Sequence, residues 1–153
     1  YSLSTGNVAA DFERRRHQFQ LKSVKEIASS GDKPFFVFVH LMLPHPPYIW
    51  TGSGQPQETK TDDLEWLYLE QVKFAEGYLL DMIDSIKNPE AVIIVQSDEG
   101  MKHDDTEWNQ KLSDIQWRGV LTAWHIPNSN DAELDAVEPH EILKHVIDKL
   151  REE

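Results

Sequence analysis

Cysteine is absent from the chain. That excludes disulfides and thiolate metal ligands, but does not by itself fix a compartment. No apolar run approaches the roughly 18 residues that a membrane-spanning helix needs, and no secretory signal pattern opens the sequence. Basic residues are in short supply: 15 Lys and Arg stand against 27 Asp and Glu, a formal net charge of −12. A surface of that sign repels phosphate backbones, so no nucleic-acid partner is expected. Acids in such excess either solvate the surface or, where they cluster, serve a cation. There is no internal repeat and no low-complexity tract. What is present suits a globular chain, since 153 residues at 39% hydrophobic and 10% aromatic can bury one sizeable core. A single domain over residues 1–153 is therefore expected, with 1–9 as a loose N-terminal segment. Because the first residue is Tyr1 and not Met, the chain is expected to be a piece of a longer protein.

Periodicity predicts the elements. Residues 10–29 predict a helix, with Phe12, Phe19, Val24 and Ile27 as an imperfect apolar stripe. Residues 34–43, "PFFVFVHLML", form a continuous apolar run of the kind that suits a strand covered on both faces. Residues 51–61 are polar and Gly-rich, hence a surface loop. The strongest helix signal covers 62–87. Asp62 or Asp63 can cap it, Leu64, Leu67, Tyr68, Val72, Ala75, Leu79, Met82, Ile83 and Ile86 form its apolar face, and Asn88 and Pro89 stop it. Strands follow at 91–100 and 117–127, and a final helix has Pro139 near its first turn. That order predicts an α/β fold, a largely parallel sheet with helices on both faces, in which 35–43 and 91–97 are parallel neighbours bridged by the 62–87 helix.

In such a sheet, ligands gather beyond the carboxyl ends of the strands. The first strand ends in Pro44-His45-Pro46-Pro47 and the second in Gln96-Ser97-Asp98-Glu99-Gly100. Asp98 and Glu99 can turn together toward a divalent cation, or can simply form a polar turn. His45 lies past a strand end between stiffening prolines, where its imidazole can bind a metal, donate to an anionic oxygen, or face solvent. His40, within the predicted strand, suits a satisfied core histidine. His103 beside Asp104 and Asp105 suits a ligand or a solvated acidic loop, and His125 lies near another strand end. His17, His140 and His145 sit on predicted helices and suit structural or solvated roles.

Three segments in this order, "FVFVHLMLPHPPYIW", "YLEQVKFAEGYLLDMIDSI" and "AVIIVQSDEG", resemble the sulfatase-like branch of the alkaline phosphatase superfamily. The likeness is to membrane-anchored sulfatase-like proteins, relatives of lipoteichoic acid synthases and phosphoethanolamine transferases, and it covers about residues 30–127. The resemblance implies a metal-dependent hydrolase or transferase acting on phosphate or sulfate esters, at the extracytoplasmic face of the membrane in the parent protein. It makes Asp98 a metal ligand, and Glu99 a second ligand where the family commonly has His or Asn. That departure leaves the cation open among Mn, Zn, Mg and Ca. His45 matches the catalytic histidine that contacts the phosphate or sulfate group, and His40 a recurring position beside the substrate. The family's nucleophile, a Thr, Ser or modified Cys, has no counterpart, because nothing activates Ser2, Ser4 or Thr5. The chain is accordingly expected to be the C-terminal half of the domain, inactive without the N-terminal half. A non-catalytic binding or structural domain of the same origin is the alternative, with Glu99 marking a degenerate site.

Overall fold

Asp63 supplies the start signal for a helix: its Oδ1 accepts the Trp66 amide at 3.0 Å, satisfying a donor that the first turn would otherwise leave unpaired. The helix, α2, runs Leu64–Asp84. It stops short of Asn88, its end tightening as the Ser85 and Ile86 amides donate to the Met82 and Ile83 carbonyls three residues back and the Ser85 hydroxyl donates to the Met82 carbonyl at 2.6 Å. It follows α1, Thr5–Ser29, which begins within the segment expected to be loose. The computed structural model describes residues 5–29, 36–101, 112–113, 116, 118–128 and 138–152. They fall into two compact units, Tyr1–Lys87 and Asn88–Glu153.

The core of the first unit is aromatic. Leu21, Ile49, Trp50 and Phe74 are buried together, with Ala10, Leu41, Leu43 and Tyr78 packed against them. Trp50 stacks on Phe74 at 4.4 Å between centroids, and Tyr78 meets Phe74 edge-on at 5.1 Å. The expected face of α2 is half-buried throughout, while the fully buried positions are Gln71 and Phe74. Most of the α1 stripe faces outward: Phe12, Phe19 and Ile27 are exposed and Val24 is half-buried, while His17 and Leu21 are buried. After Trp50, the loop turns back so that Gln57 donates to the Ile49 carbonyl, with Gly54 at a φ of +78° that a side chain would strain.

The second unit pairs strand β1, Ile93–Gln96, with β2, Thr122–His125. The pairing is antiparallel, with Ile94 opposite Trp124 and Val95 opposite Ala123. Ile94 and Trp124 share a face with Val92, and the three pack against Ile126, Ile142 and Val146. The last two belong to helix α3, Ile142–Glu152, which follows a single 3-10 turn at Pro139–Glu141.

This architecture overturns the expected α/β fold with a largely parallel sheet and helices on both faces. Half of the described residues are helical, and the sheet has two strands, antiparallel. The error lies in residues 36–43, which form no strand. Phe36 and Val37 are both exposed, and from Phe38 onward the residues alternate as a strand would: Phe38, His40 and Met42 are exposed, while Val39, Leu41 and Leu43 turn partly inward. But a strand needs a ladder. Among the described residues, the one hydrogen bond to this run is from Gln20 Nε2 to the His40 carbonyl at 3.1 Å. Phe36 and Phe38 remain 76% and 80% exposed instead of covered. Without a first strand, α2 cannot act as a parallel crossover, and β1 pairs with the strand that follows it. Among the described residues, no helix is long and apolar enough to cross a membrane.

Candidate functional site

The loop from Pro44 to Ile49 is held chiefly by Gln71, with the Arg14 guanidinium donating to the Ile49 carbonyl at 3.4 Å. Gln71 lies on the inner seam of α2, fully buried. Its Oε1 accepts the Ile49 amide at 2.8 Å. Its Nε2 donates to the carbonyls of His45 at 2.9 Å, Pro44 at 3.2 Å and Pro47 at 3.4 Å, two amide hydrogens shared among three acceptors. The orientation of the amide is unambiguous, because Ile49 offers a donor and the other three offer acceptors. Residues 44–47 bend, with cis peptide bonds at Leu43-Pro44 and Pro46-Pro47. A buried amide with every polar atom satisfied specifies a loop geometry more sharply than apolar packing can.

His45 itself is exposed. Its Nδ1 lies 2.7 Å from the Pro46 carbonyl. A carbonyl can only accept, so this hydrogen bond requires the tautomer with the proton on Nδ1, which leaves Nε2 to meet a ligand. Next to the loop, Tyr48 meets Tyr68 edge-on at 6.2 Å, and burial raises the Tyr68 phenol above its ordinary value. On the far side of Trp50, the Glu70 carboxylate accepts from Lys73 and from the Gly52 amide, which hold it below the usual carboxylate range and tie the 51–57 turn to α2.

Asp98 and Glu99 lie just past the end of β1, both exposed. Ser97 continues the ladder before them. Its amide donates to the Leu121 carbonyl at 2.9 Å, and its hydroxyl accepts the Leu121 amide at 2.8 Å. Adjacent carboxylates offer oxygen ligands, which fit a hard divalent cation, but they are only part of a shell. No group of three His, Cys, Asp or Glu that could hold a metal occurs among the described residues. His45 belongs to the first unit, and Asp98 and Glu99 to the second. His103, Asp104 and Asp105 lie outside the described residues. His40, which suited a core position, is exposed, and its carbonyl serves to hold Gln20. His125 and His140 are also exposed.

His17 is structural. It is buried, and its Nδ1 accepts the Trp50 indole N–H at 3.1 Å. Burial first, and then the neighbouring Arg16 charge, lower its pKa from 6.5, with Glu13 opposing. The unfolded chain therefore binds this proton more readily than the folded one. Stability from the Trp50–His17 bond is complete above the unfolded pKa and is lost as pH falls through 6.5 toward the lower folded value. Denaturant titrations from about pH 7.5 downward should show this loss, and His17→Gln should flatten it. Parallel profiles for the two proteins would place the titrating group elsewhere.

No family model, curated protein or solved structure matches the chain. Resemblance to the sulfatase-like branch thus rests on the sequence motifs alone. The residue that motif reading passed over is Gln71. Its signal was there: Leu67, Gln71, Phe74 and Tyr78 recur at spacings of four, three and four, so the glutamine sits in an apolar seam. A polar residue in such a seam must have partners.

Proposed function

We propose that the chain contributes to a metal-dependent hydrolase or transferase acting on phosphate or sulfate esters, of the sulfatase-like kind. His45 meets the ester group, with His40 on the same exposed run. Asp98 and Glu99, in the second unit, supply carboxylate ligands to a divalent cation, which when bound would act as a Lewis acid in ester chemistry. The nucleophile comes from polypeptide outside these residues, the N-terminal part of the family's domain, so the chain alone is not expected to turn over substrate. The observation that supports this most is the Gln71 clamp. A buried glutamine spends all its hydrogen bonds on the main chain around a solvent-facing histidine, which is how a ligand-binding loop is prepared in advance. Glu99, in place of the family's usual His or Asn, favours a second reading: a binding or structural module that has lost catalysis.

Calorimetric titration with Mn²⁺, Zn²⁺ and Ca²⁺ tests the cation assignment. At least one should give binding heat with the unaltered chain and little or none with Asp98→Asn. The affinity should be modest, because two carboxylates leave most of the shell to water or to other ligands. Identical heats for the two proteins would remove Asp98 from any metal site.

A further inference from the structure

We propose that Gln71 is a positioning residue that fixes the tautomer of His45. All four carbonyls from Pro44 to Pro47 have a side-chain donor. Gln71 Nε2 takes those of Pro44, His45 and Pro47, and His45 Nδ1 takes that of Pro46. The division follows from geometry. The buried amide turns three carbonyls toward α2, so the Pro46 carbonyl is the one available to the imidazole. The ring is exposed and water competes for both its nitrogens. Only a carbonyl fixed in place, 2.7 Å away, holds the proton on Nδ1. A histidine with no such neighbour prefers the proton on Nε2.

The consequence lies at Nε2. In the neutral ring this atom presents a lone pair, so it can accept a proton from a water or hydroxyl, or bind a cation. It can donate to a phosphate or sulfate oxygen only after the ring takes up a second proton. Gln71, which touches no ligand, thereby selects the chemistry that His45 offers. Its conformational freedom was lost when the helix packed, so the histidine needs little further ordering on binding.

This inference deepens the role proposed for His45, but its test uses the chain with no ligand present. Nitrogen-15 correlation spectra of the histidine rings, recorded at about pH 8 where neutral rings dominate, distinguish a protonated from an unprotonated nitrogen directly. His45 should show the proton on Nδ1. In Gln71→Leu the population should shift to the Nε2-protonated form. Gln71→Glu nearly preserves side-chain volume, and its carboxylate can still accept from Ile49 but donates nothing, so it should shift in the same direction. The Trp50 indole resonance, bonded to His17, reports that the core is intact. An Nε2-protonated His45 in the unaltered chain would overturn the proposal, and needs no variant to fold. So would an unmoved Nδ1 proton in Gln71→Glu. A positive result beside absent metal heats would leave the clamp standing without the enzymatic reading, and the reverse would leave that reading without the clamp.

Discussion

Trp50→Ala should unfold the first unit or bring it to the edge of unfolding in water. The indole is the centre of a core with four buried apolar members among the described residues, so its loss cannot be shared among many neighbours. Truncating a buried Trp costs about 3–5 kcal/mol. The stacking on Phe74 adds about 0.5–1.5 kcal/mol. His17 Nδ1 is then left buried without its donor, a further penalty of about 1–3 kcal/mol. Whole domains are stable by about 5–15 kcal/mol, so most of the reserve is consumed. Phe38→Lys is the informative contrast. In a sheet covered on both faces, a lysine there would be severely destabilising. On the exposed run that the structure shows, the change should stay within about 0.5 kcal/mol. Urea titrations followed by helical circular dichroism measure both. A mild Trp50→Ala, or a Phe38→Lys that loses more than about 2 kcal/mol, would contradict the packing described above.

Under the proposed function, His45→Ala in an active protein that carries this chain should lower kcat by about 10²–10⁴, the usual contribution of a positioned general acid or base. The melting midpoint should stay within a few degrees. The ring is exposed, and its hydrogen bond is to the adjacent residue's carbonyl. The clamp from Gln71 reaches main-chain carbonyls, which alanine retains. Turnover of an aryl phosphate or aryl sulfate ester, beside a thermal melt, separates the two effects. Equal turnover would remove His45 from the chemistry and leave a proline-rich loop with a solvent histidine. A collapse of stability would mean that the imidazole supports the fold.

Several elements were legible before any coordinates. The 62–87 signal produced α2 with Asp63 as its cap, because capping and helical periodicity act over a few residues and need no partner. The strands at 91–100 and 117–127 are present in shortened form, Ile93–Gln96 and Thr122–His125. The side of α1 that would be buried was misjudged. Phe12 and Phe19 are the larger apolar groups, but His17 has a partner in Trp50, and Leu21 reaches the aromatic cluster. Of the candidate residues, His45 was picked out by its prolines and Asp98 by its strand end. Gln71, which organises the loop, was hidden among the residues of a helix read only for its apolar face.

The sequence by itself determined where α2 begins, which segments are extended, the acidic balance, and the absence of thiol chemistry. These depend on covalent structure, local dihedral preference and composition. Tertiary structure alone decided whether residues 36–43 became a strand and which way the strand at Ile93–Gln96 was paired. Sheet formation is a contract between distant segments: a run with every local feature of a strand stays single when no backbone meets its amides. It also decided that Gln71 would clamp the loop around His45. A glutamine amide has no preference for one set of carbonyls until packing places them within 3.5 Å and removes the water that would otherwise satisfy it.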